Sequence, residues 1–221
     1  ATGNEDLNWM LGVARGIASE ARSQGAQIIG GDLSKAEKIS ISITALGECK
    51  SPVLRSGAEV GDSIYITNLP GWSAAGLLAL QAGMKTNSDP LIQQAILQHR
   101  SPSVKYEIAK SMVNSNNPAN SLCDISDSLL IQSEQMAESS GVSFEIDGNF
   151  ISRHPEFEKL SKVAEVLKVS VTDLILSGGE DHVFLATGQS LPGFQIGQVV
   201  AGSGIRLSHL ATPQPGWQHF K

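Results

Sequence analysis

Short β-branched runs alternate with stretches of helical period along most of this chain, and that alternation restricts it to layered folds in which helices cover a sheet. Residues 63–67 (SIYIT) suit a strand, Pro70-Gly71 a turn, and residues 73–81 a helix with Ala74, Leu77 and Leu78 on one face. Helices are predicted over residues 90–98 and 103–113, a strand over 121–125 and a helix over 126–139 that Gly141 stops. A strand over 142–146, helices over 156–168 and 171–176, and strands over 182–187 and 194–200 follow, with Pro192, Pro213 and Pro215 making the end loop-rich. The fold class is therefore α/β, or α+β with mixed sheets.

Ahead of this series, Leu7, Met10, Leu11, Ala14, Ile17, Ala18 and Ala21 recur at helical spacing, with Asn4 or Asp6 able to cap and Gly25 to terminate. After a short apolar run at residues 27–29 and the turn Gly30-Gly31-Asp32, Ile39, Ile41, Ile43 and Ala45 alternate with Ser40, Ser42 and Thr44. That is the pattern of a half-buried strand. Residues 47–61, with Pro52, read as a connection, which divides the chain into domains 1–52 and 53–221.

At 221 residues an apolar core needs no disulfide or structural metal. A formal charge of −6, with no basic run longer than two residues, argues against duplex binding; an acidic chain that handles an anion needs local cations, either a few Lys and Arg or a divalent metal. Cys49 and Cys123 are far apart and the five histidines show no zinc spacing, so two buried free thiols are expected. With no membrane-length apolar run and no signal-peptide pattern, a cytoplasmic protein is expected. Because the sequence opens without Met and leads straight into a helix, a fragment or processed form is expected.

Familiar phosphate loops are absent: there is no GxGxxG, and the stretch from Gly188 to Gly193 is followed by Phe194 where a P-loop needs Lys. Three acidic features sit beside strand ends or glycine turns instead: Gly30-Gly31-Asp32, Asp124-Ile125-Ser126-Asp127 and Gly178-Gly179-Glu180-Asp181. Asp124 and Asp127 are spaced to reach one hard cation through oxygen, with the Ser126 hydroxyl open to a phosphate; equally, Asp127 can cap the next helix. The two glycine-acid features also read as tight turns. Arg55 can fork onto a phosphate or pair with nearby Glu59 or Asp62. Trp217, in Trp217-Gln218-His219-Phe220, can stack on a substrate ring or anchor the C-terminus.

In order along the chain, GGD at Gly30, ITALGE at Ile43, LRSGAEVGDSIYIT at Leu54, SAAGLLAL at Ser73, DISDSL at Asp124, SGV at Ser140, GGEDH at Gly178 and GWQHF at Gly216 resemble the thiamine-monophosphate kinases. Those enzymes belong to a superfamily with aminoimidazole ribonucleotide synthetase. The resemblance implies that two-domain architecture with its first domain incomplete, since family members carry a further N-terminal stretch with Mg²⁺-binding acidic residues. Residues 1–52 would be the remainder of an ATP-binding domain and 53–221 a domain for substrate and phosphate. The implied reaction is transfer of the γ-phosphoryl of ATP to thiamine phosphate.

By resemblance, Asp32, Asp124 and Asp127 hold Mg²⁺, Gly31, Arg55 and Ser126 contact ATP, and Glu180 and Trp217 contact thiamine phosphate. A homodimer, or self-association through an exposed edge at residues 38–45, is also expected. The sequence departs from the family's pattern at Leu33, Ser34, Lys35, Ser103, Ser128, His182 and Val183. Two alternatives stay open: a non-catalytic binding or dimerisation fragment, and a superfamily member with another phosphoryl acceptor.

Overall fold

The computed structural model describes residues 1–85 and 89–213 and separates into two compact units, Ala1–Lys50 and Ser51–Lys221. In the first unit, helix α1 (Leu7–Ser23) is capped by Asp6, whose side chain accepts from the amides of Asn8 and Trp9. Upstream, the Glu5 carboxylate gathers the amide and hydroxyl of Thr2 and the amide of Gly3, and the Thr2 bonds hold its pKa down at about 2.

The half-buried strand expected at residues 39–45 is not present. Residues 24–50 form neither helix nor strand, and Ile39, Ile41 and Ile43 are 52%, 54% and 69% exposed rather than half-buried. The alternation is real, but a strand exists only where a neighbour takes its amides and carbonyls, and this unit supplies none. Cys49 is likewise exposed, contrary to expectation, because it sits in the same uncovered stretch, whereas Cys123 is buried.

The second unit contains β1 (Ser63–Ile66), α2 (Trp72–Gln81), α3 (Pro90–Arg100), α4 (Tyr106–Asn114), β2 (Ser121–Ile125), α5 (Leu129–Ser140) and β3 (Ser143–Asp147). It continues with α6 (Gly148–Ile151), α7 (Phe157–Leu167), α8 (Val171–Ser177), β4 (Val183–Gly188), β5 (Phe194–Val200) and β6 (Gly204–Ser208). The six strands form one sheet in the order β2-β4-β1-β5-β3-β6, antiparallel throughout except for the parallel β3–β6 pair. The sheet is mixed, as expected. The short α6 and the edge strand β6 carry too little period for sequence reading to detect, and α4 begins at Tyr106 rather than Ser103.

Successive strand residues point to opposite faces, and both faces of β1 are buried. Ile64, Ile66, Ile125, Leu185 and Phe144 join the main core beneath α2, α3, α5, α7 and α8. Tyr65, Ala186 and the half-buried Leu122 face the other way, into a smaller cluster with Met112 of α4 and Leu191.

The α2–α3 contact is closer than ordinary side chains permit. A Cβ on Gly76 would stand 2.1 Å from the carbonyl oxygen of Ala95 and 2.6 Å from its carbon, so this position of α2 is open only to glycine. Both obstructing atoms are backbone, which cannot swing aside. Gly76→Ala should therefore destabilise the second unit by about 2 kcal/mol or more, in the range of overpacked cores, measured by denaturant unfolding. An unchanged midpoint would show the helices free to separate.

Candidate active site at the β2–β4 strand ends

Antiparallel pairing of β2 with β4 puts Ile125 opposite Val183, so the chain leaves β2 beside the point where it enters β4. Two acidic motifs more than fifty residues apart in sequence are thereby neighbours. Beyond the ladder the contact continues through backbone: the Glu180 amide donates to the Ser126 carbonyl at 2.7 Å, and the His182 amide to the Ile125 carbonyl at 3.1 Å. Gly179 lets the loops close, because a Cβ there would stand 2.2 Å from the Asp127 carbonyl oxygen.

Asp124 near the end of β2 and Ser126 and Asp127 on the segment linking β2 to α5 are all part-buried. Asp127 is not the helix cap. Ser128 takes that position, accepting from the Ile131 amide at 3.2 Å, while its own amide donates to Gln132 at 3.0 Å. The departure at Ser128 therefore supplies a cap and leaves the two Asp side chains outside the helix. Two carboxylates and a hydroxyl are a hard oxygen donor set of the kind that Mg²⁺ takes when water and substrate phosphate complete its shell. Among the described residues there is no group of three or more His, Cys, Asp or Glu side chains able to hold a metal on its own.

The loop before β4 is conformationally unusual. Glu180 and His182 both adopt left-handed backbone, at φ 64° and 52°, on either side of Asp181. Their side chains face outward: Glu180 is 71% exposed and His182 41%, with Glu180 Oε2 3.5 Å from His182 Nε2. Asp181 turns the other way and is buried. Its carboxylate accepts from the amides of Gly71 at 2.7 Å and Ser73 at 2.9 Å, capping the first turn of α2, which has no cap of its own because Gly71 stands at that position. The Ser73 hydroxyl in turn meets His99 Nδ1 at 3.1 Å.

Sequence reasoning singled out Glu180 and passed over its neighbour. The available signal was α2 itself, a helix starting at Gly71-Trp72 with no Ser, Thr, Asp or Asn to receive its first amides.

The remaining expected residues are placed elsewhere. Arg55 Nη1 donates to Gln135 at 2.9 Å, and its loop is fixed by the Leu122 amide donating to Leu54 and by the amides of Gly57 and Ala58 donating to Ser140 Oγ. Gln135 lies seven residues down α5 from Ser128, about 10 Å of helical rise. Neither Glu59 nor Asp62 takes it; buried Asp62 is held by Asn120 instead. Asp32 and Gly31 belong to the first unit, where Ser34 Oγ donates to Asp32 at 2.8 Å. Trp217 lies outside the described residues.

Comparison with known proteins gives the chain's relatives. Residues 1–49 match the family described as AIR synthase related protein, N-terminal domain. A thiamine-monophosphate kinase of Aquifex aeolicus is 30% identical over 93% of this chain and 67% of its own length, and one of Corynebacterium glutamicum is 34% identical over 97% and 66%. The solved structure of AaThiL complexed with AMPPCP and TMP superposes with a TM-score of 0.87 at 29% identity, covering 98% of this chain and 70% of that one. The chain belongs to the thiamine-monophosphate kinase family, a family of phosphotransferases. It spans about two thirds of the length of the curated relatives it matches.

Burial pushes the Asp181 carboxyl up to about 6, against the opposing pull of the Gly71 and Ser73 amides. A carboxyl that holds its proton more tightly folded than unfolded opposes folding by ionising. That cost is absent below about pH 4, grows as the pH rises to about 6, and is constant above it. Asp181→Asn removes the titration, so the stability gap between the native protein and this variant should be wider at pH 5 than at pH 7 in urea unfolding. A gap of constant size would mean that the carboxyl does not titrate in that window.

Proposed function

We propose that this chain carries the acidic centre of an ATP-dependent kinase that phosphorylates thiamine phosphate to thiamine diphosphate. The observation that carries the reading is the junction of the Asp124–Asp127 segment with the Gly178–His182 loop through two backbone hydrogen bonds. It brings a hard-cation donor set beside an exposed carboxylate, on a chain whose relatives are thiamine-monophosphate kinases. One structural relative is complexed with AMPPCP, an ATP analogue, together with TMP.

In the reaction, a terminal phosphate oxygen of thiamine phosphate bonds to the γ-phosphorus of ATP while the bond from that phosphorus to the β,γ-bridging oxygen breaks, leaving ADP. Phosphoryl transfer needs positioning and neutralisation of charge more than covalent help from the protein. Asp124 and Asp127 would hold Mg²⁺, with Ser126 directed at an ATP phosphate. Bound there, Mg²⁺ would supply charge neutralisation on the phosphates. Glu180 is proposed to meet the cationic thiamine portion of the acceptor, since its exposed carboxylate suits a thiazolium far better than a phosphate.

For Asp32 as a further metal ligand, Gly31 and Arg55 as ATP contacts and Trp217 as a stacking partner, the support is the resemblance. The same holds for a homodimer and a cytoplasmic setting. Among the described residues no helix is long and apolar enough to cross a membrane.

Calorimetric titration of the chain with a non-hydrolysable ATP analogue, with and without Mg²⁺, tests the centre. Binding is expected to depend on the metal, and Asp124→Ala combined with Asp127→Ala should weaken it at least about tenfold while leaving thiamine phosphate affinity within about twofold. Unchanged nucleotide affinity in the double variant would overturn the assignment. Binding of thiamine phosphate without any nucleotide binding would favour the non-catalytic alternative.

A further inference from the structure

Between two residues held in left-handed backbone, one carboxylate points inward. Outside glycine such backbone costs about 1–2 kcal/mol per residue and persists only where the surroundings fix it on several sides. Here Glu180 is held through its amide by Ser126 and His182 through its amide by Ile125, both on the β2 exit. The third hold comes from the core side, where Asp181 spans the amides of Gly71 and Ser73 at the start of α2. Its negative charge at a helix N-terminus is favourably placed.

The contact leaves little freedom. A Cβ on Gly71 would stand 2.9 Å from the carbonyl of Leu174, and one on Gly178 2.8 Å from the Ala74 side chain, so α2, the end of α8 and the loop meet without slack. With Asp181 drawn into the core, Glu180 and His182 stand on the exposed side of the loop.

We propose that Asp181 is a positioning residue for the acceptor side of the site: by anchoring the loop to the α2 N-terminus it fixes where the Glu180 carboxylate stands beside the Asp124–Asp127 segment. This inference rests on the reading of Glu180 as the contact to thiamine phosphate. A helix cap alone would contribute stability without affecting which ligand binds, whereas an anchor sets one ligand's affinity through the carboxylate next to it.

The test compares three variants of the full chain by calorimetry, with thiamine phosphate and, separately, with an ATP analogue plus Mg²⁺. Asp181→Asn keeps the shape but presents an amide hydrogen to one of the two N–H groups. It should weaken thiamine phosphate at least about tenfold, as small displacements of binding groups do, and change nucleotide affinity less than about twofold. Asp89→Ala removes the cap that receives the Leu91 amide at the start of α3 and should lower Tm while changing neither affinity.

Equal weakening of both ligands in Asp181→Asn, or no weakening, overturns the inference. Glu180→Gln separates the two failures. If it leaves thiamine phosphate affinity unchanged, the acceptor reading falls and the inference with it; if it weakens binding while Asp181→Asn does not, the inference alone falls. Should Asp181→Asn fail to fold, amide exchange on the unmodified chain decides. Thiamine phosphate is expected to slow exchange at Gly71 and Ser73, and unchanged exchange there overturns the inference.

Discussion

Antiparallel pairing between β2 and β4 is the contact on which the candidate site depends. It sets Ile125 against Val183, and every later feature of the site is an extension of that register: the two backbone hydrogen bonds past the ladder, the approach of Gly179 to Asp127, and the outward presentation of Glu180. A slip of one residue would invert the faces of β2, exchanging Cys123 and Ile125 in the core for Leu122 and Asp124. The burial of Ile125, Val183 and Leu185 beneath the helices thus fixes the position of the carboxylates beside them in the chain.

The acidic groups divide according to what surrounds them. Asp181 and Asp62 are carboxylates in the interior, each satisfied by donors from the chain itself. Asp124, Asp127 and Glu180 keep some exposure. An interior carboxylate is worth retaining only when its hydrogen bonds are complete, because desolvation of the charge otherwise outweighs the attraction. Asp181 offsets part of that desolvation by borrowing the unsatisfied amides of a helix that begins with glycine, and the helix gains its cap in the same contact.

Much of this was legible in the sequence, and what was missed has physical reasons. The strands at residues 121–125 and 194–200 and the helices α2, α3, α5, α7 and α8 announced themselves through period and through stops such as Gly141. The DISD and GGED motifs were visible as acids beside bare backbone, but their adjacency was not, because it comes from strand order. Asp181 escaped notice because a buried cap and an exposed ligand look alike in one dimension. Ile39, Ile41 and Ile43 show the opposite failure: the period of a strand is legible in one chain segment, while the strand itself requires a second. Arg55 was legible as a cation, not as the partner of Gln135.

The loop that carries Arg55 has a further effect. β2 is an outer strand of the sheet, and an outer strand offers its free amides to any extended segment that drifts past. Leu54 occupies the Leu122 amide, and Gly57 lies so close to the Asn120 carbonyl that no side chain fits between them. The chain therefore guards its own margin along the strand that carries Asp124. The start of this strand is thereby shielded from the templated pairing that seeds amyloid, two residues before Asp124.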